Sequence, residues 1–65
     1  MTREARLATL VRRYAKGRVR EEWRDQGRKL AELTRAEIEH KATAWIAQHP
    51  EATSEVEARY GALLG

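Results

Sequence analysis

Cationic side chains are the residues of this 65-residue chain whose type and spacing could do chemistry: ten arginines and three lysines. Residues 1 to 30 hold ten of these cations against four acids, a local charge of +6. Residues 31 to 65 hold three against six acids, a local charge of −3. The net charge of +3 therefore conceals a polarised molecule. Arginine outnumbers lysine, and a guanidinium is a planar fork suited to bidentate contact with carboxylate or phosphate.

At helical spacing Arg6, Arg12, Arg13 and Lys16 turn away from the apolar residues of the first segment, with no acid on their face. Arg20, Arg24 and Arg28 stand at i, i+4 and i+8, and Arg18 carries the positive field between the two groups. Rows of this kind contact phosphates or carboxylates and carry little base-sequence readout. Glu21, Asp25 and Glu32 run beside the second row, so part of it reads as a salt-bridged, solvated face. The first segment lacks such neighbours and is the stronger docking candidate.

Other constellations are thinner. Glu37 and His40 make a single Glu-x-x-His, whereas a di-iron bundle needs two such motifs and further carboxylates. No metal and no cofactor are therefore expected. Trp23 and Trp45 could stack on nucleobases, but both fall on apolar stripes and read as core residues. Tyr14 sits at the edge of the basic region and also completes a stripe. His49, just before Pro50, reads as a polar contact at a helix end. There is no cysteine, the hydroxyls are explained by capping or solvent, and the four glycines are scattered. No catalytic arrangement follows, and the chain is not expected to be an enzyme.

These side chains are positioned by helices, because apolar residues recur at 3.6-residue spacing and nowhere alternate as in a strand. The pattern predicts one domain over 1–65, an all-α bundle of three or four helices at about 3–16, 18–33, 35–48 and 53–64. Leu7, Leu10, Val11 and Tyr14 form the first stripe, with Gly17 as its expected C-terminal stop. Val19, Trp23, Gln26, Leu30 and Leu33 form the second, read as crossing Gly27. The competing reading ends that helix at Gly27. Thr34 and Glu37 form a capping box before the stripe Ile38, Ala42, Trp45 and Ile46. The last helix starts between Pro50 and Ser54 and carries Val56, Tyr60, Leu63 and Leu64.

The short turn at Thr34 between the second and third segments has the length a helix-turn-helix needs. The third opens on Arg35, Glu37, Glu39 and His40, which is acidic where DNA would lie, so base reading by this helix is not expected. Its far side carries Ala36, His40, Thr43, Ala44 and Ala47, a small-residue face that suits self-association into a homodimer. Fifteen large apolar side chains give a chain of this size a core of marginal worth, compatible with a monomer or a dimer.

The absence of cysteine and of a long apolar run leads to an expectation of a cytoplasmic protein without membrane attachment. The expected function is a small binding protein, an adaptor or inhibitor, docking an acidic protein surface through the arginine-rich face. The alternative is a nucleic-acid accessory protein that contacts phosphates through the same residues.

Overall fold

A computed structural model describes residues 2–64. Among the described residues the fold is all-α, with three α-helices and no strand. Helix α1 spans Arg3–Asp25, α2 spans Arg35–Gln48 and α3 spans Ala52–Leu64. A short 3₁₀ turn, Leu30–Glu32, lies between the first two. Helix α1 is a spine on which both α2 and α3 pack. At about 1.5 Å per residue it is roughly 34 Å long, which accounts for the longest dimension of the molecule, 38 Å against 20 and 19 Å.

The expected stop at Gly17 is wrong, and so is the separate helix 18–33. One helix runs through Gly17 and ends eight residues later, at Asp25. Val11, Ala15 and Val19 are all buried, and they succeed one another at four-residue steps straight across the glycine. Burying that continuous face outweighs a propensity cost of about 1 kcal/mol for glycine in a helix interior.

Gly27 is the true terminator. Its φ of 76° is the only positive φ among the described residues. The Gly27 N–H donates to the Arg24 carbonyl at 2.9 Å and the Arg28 N–H to the Trp23 carbonyl at 3.3 Å, the two bonds of a Schellman cap. The side-chain contact that accompanies such a cap is also present, with the Arg28 guanidinium 4.5 Å from the centre of the Trp23 ring. The residue pairing across this corner was hidden in the sequence because it joins an arginine to a tryptophan instead of two aliphatics.

The two glycines therefore respond oppositely to alanine. A Cβ at Gly17 would meet nothing within 4 Å, so Gly17→Ala is expected to stabilise the fold by up to about 1 kcal/mol. Gly27→Ala places a Cβ at a left-handed residue and is expected to cost about 1–2 kcal/mol. Thermal unfolding of the two variants checks both signs, and equal shifts would contradict this map of the helix.

Helix α2 begins as expected. The Glu37 N–H donates to Thr34 Oγ1 at 3.2 Å, and the Thr34 hydroxyl donates to Glu37 Oε1 at 2.9 Å. The reciprocal half of the box, from Glu37 to the Thr34 backbone, is thus replaced by a side-chain bond. Helix α3 begins at Ala52, so Ser54 lies inside its first turn and does not cap it.

The core is small and built mostly of alanine and valine. Val11, Ala15, Val19, Leu33, Ala42, Trp45, Ala52 and Val56 are buried, and Val56 is the largest side chain that is fully so. Most of them gather round Trp45, with Tyr14, Trp23, Ile38 and Ile46 packed against the cluster. In the expected stripe of α3, Tyr60 and Leu63 stay exposed, while the side chain of Leu64 lies outside the described residues.

Candidate functional site

Because α1 is continuous, residues assigned to two helices share one cylinder. At about 100° per residue, Arg6, Arg13, Arg20 and Arg24 fall within about 40° of one another. They form one row opposite the buried Val11–Ala15–Val19 face. The row extends for roughly 27 Å at about 1.5 Å per residue. All four side chains are exposed, and among the described residues none lies within ion-pair distance of an acid. The acids of the same helix, Glu4, Glu21, Glu22 and Asp25, stand about 60° or more away round the helix.

The other four cations singled out from the sequence have partners inside the molecule. Arg12 and Lys16 flank α2, where both hold Glu39; the Arg12 guanidinium donates to Glu39 Oε2 at 2.8 Å, and Lys16 pairs with Oε1. Arg12 also reaches Thr43 Oγ1 at 3.4 Å. The hydrogen bonds from Lys16, then Arg12, hold the Glu39 carboxyl below its ordinary value of 4.5. Arg18 pairs with Glu21 one turn on, at 3.1 Å. Arg28 lies past the end of the helix on the Trp23 ring.

Sequence periodicity did not reveal Glu39 as the partner of Arg12 and Lys16. The pairing is an interhelical one across 27 and 23 residues, and only the register between α1 and α2 brings it about. Similarly, Arg3 meets Glu57 of α3 at 3.4 Å.

On α2, Ala36, His40, Ala44 and Ala47 are exposed on the side away from buried Ala42 and Trp45. Thr43 sits at the flank of that face, beside Arg12. Glu37 is engaged in the helix cap. Among the described residues, no group of three or more metal-ligating acids, histidines or cysteines comes together.

The aromatic residues mark a second region. Trp45 stands edge-on to Tyr14, with centroids 5.7 Å apart, and stacks on His49 at 4.3 Å. His49 Nδ1 is in turn 3.2 Å from Glu51 Oε1. The Glu51 carboxyl is lowered first by its own backbone N–H and then by this contact. Tyr14 is half-buried and its hydroxyl donates to Glu55 at 3.5 Å, tying α1 to α3. Trp23 is also half-buried; its indole N–H donates to the Lys29 carbonyl at 2.9 Å, and Lys41 lies 5.6 Å from its ring.

No helix among the described residues is long and apolar enough to cross a membrane. Comparison of the chain with protein-family models, with curated proteins and with solved structures finds no match.

Proposed function

We propose that this chain is a non-catalytic binding protein, an adaptor or an inhibitor, that docks an acidic protein through the outer row of α1. The observation that carries the reading is the spacing of Arg6, Arg13 and Arg20 at seven-residue intervals on an exposed helix, without internal partners. A facing helix with acids at the same interval would meet each guanidinium in turn, as charged flanking positions do in paired helices. Gly17 lies between Arg13 and Arg20 with open space above it, so a partner backbone can approach closely there. The accessible surface of 4926 Å² also exceeds the roughly 4,200 Å² typical of a compact monomer of this mass. Arg12, Lys16, Arg18 and Arg28 would border the docked partner while keeping their internal contacts. Cytoplasmic residence belongs to the same proposal and rests on the lack of cysteine.

A second reading, phosphate contact by the same row in a nucleic acid, is favoured by the absence of any acid among those four arginines. One experiment separates the two. The tagged protein is used to capture partners from nuclease-treated lysate, beside a variant with Arg6, Arg13, Arg20 and Arg24 all changed to alanine. The expected result is a protein partner retained by the parent chain and lost, at least tenfold, by the variant. The helical circular dichroism of the variant should be unchanged, since arginine and alanine are both good helix formers. Capture that vanishes with nuclease would support the phosphate reading. Equal capture by both chains would sink the arginine row altogether.

A further inference from the structure

Between the C-terminal end of α1 and α2 lies a cleft of about 200 Å³ that none of the four row arginines lines. Trp23, Arg28, Lys41, Trp45 and Gln48 form much of its wall, with Gln26 at the end of the helix. Arg28 and Lys41 both lie against the Trp23 ring, and among the described residues neither is within ion-pair distance of an acid. Trp45 is nine-tenths buried, and its indole N–H has no hydrogen-bond partner. The indole N–H of Trp23, by contrast, is already bonded to the Lys29 carbonyl. Glu22 is the one acid of the lining, so the fixed charge of the cleft is +1.

We infer that this cleft binds a carboxylate carried on a short apolar stem. The residues that line it bring mainly donors: two cations, two carboxamides and Trp45, whose indole N–H is unpaired. An acceptor-only group with two oxygens satisfies such a set. A buried donor without a partner marks a position where an acceptor is missing. The apolar part of the wall, with Val19 and Ala44 beside the two indoles, suits a hydrocarbon stem. The volume matches a group of side-chain size. This site involves none of the row arginines, so its failure and theirs are independent.

The test uses the full chain labelled with nitrogen-15, whose two indole N–H signals are distinguished by the variant Trp23→Phe. Glutarate and a capped glutamate, N-acetyl-glutamate N-methylamide, are titrated separately at constant ionic strength, with chloride as the balancing ion. A saturable downfield shift of the Trp45 indole signal is expected in the millimolar range. Arg28→Gln with Lys41→Gln should weaken it at least tenfold, whereas Arg28→Lys, which keeps the charge, should retain it. Response to the capped glutamate would identify the occupant as a partner's side chain; response to glutarate alone would identify it as a free small acid. A Trp45 signal that moves with neither, or moves equally in the doubly substituted chain, overturns the proposal.

Discussion

Trp45→Ala is expected to unfold the protein at ambient temperature or bring it close to that point. Removing a large buried aromatic costs about 3–5 kcal/mol, and a 65-residue domain holds only about 3–10 kcal/mol in all. The loss falls at the upper end because Trp45 joins the parts of the molecule. Its ring meets Tyr14 of α1 and His49 at the end of α2, and it packs in one cluster with Leu33 and with Ala52 of α3. The surrounding buried residues are mostly alanine and valine, which are too short to collapse into the vacated space.

Trp45→Phe separates packing from polarity. It keeps an aromatic ring and removes the unpaired indole N–H, a group whose burial without a partner itself costs about 1–3 kcal/mol. Its loss of stability should therefore be much smaller than that of the alanine variant. Denaturant titration followed by circular dichroism measures both. A stably folded Trp45→Ala chain, with a midpoint near that of the parent, would contradict the central place given to this residue.

Much of this arrangement could be read from residue order, and the exceptions have a common physical cause. The α2 stripe, its start at Thr34 and the burial of Trp45 all depend on local periodicity and capping, and they appear as expected. The error at Gly17 came from weighing a local stop signal above a longer pattern. Cations followed by glycine resemble a helix end, yet Val11, Ala15 and Val19 continue one buried face across it. Ala15 was the missing link in that pattern, since a small side chain gives little hydrophobic signal although it is completely buried.

The same error divided the candidate site. With α1 broken at Gly17, Arg6 and Arg13 belonged to one helix and Arg20 and Arg24 to another. Restoring the helix aligns the four, and it also moves Arg12 and Lys16 to the α2 side, where Glu39 meets them. That last pairing depends on how two helices are set against each other, which no single-helix pattern contains. The positive field of the first half was thus legible, whereas its division into internally paired and outward-facing arginines was not.

Val56→Asp is expected to release α3 from the rest of the molecule. Val56 is 1% exposed, and with Ala52 it makes up the buried face of α3. Farther along the helix Tyr60 is 39% and Leu63 75% exposed, so the last turns add little grip. Among the described residues the polar ties of α3 to α1 are the exposed Arg3–Glu57 pair and the long Tyr14–Glu55 bond, each worth about 1 kcal/mol or less. Aspartate forfeits about 1.5–3 kcal/mol of valine burial and adds the cost of a carboxylate without a partner, so a loss of at least about 3 kcal/mol is expected. Once undocked, a helix of 13 residues does not persist alone in water. Hydrogen exchange should then show the amides of α3 unprotected. Amides of α2 and of the second half of α1 should retain more protection, because the cluster round Trp45 takes only Ala52 of α3, at its first turn, and does not include Val56. Val56→Ala, which removes the packing without adding a charge, should give a weaker form of the same pattern. Uniform loss of protection along the whole chain would instead mean that Ala52 couples α3 to the Trp45 cluster strongly enough for both to unfold as one unit.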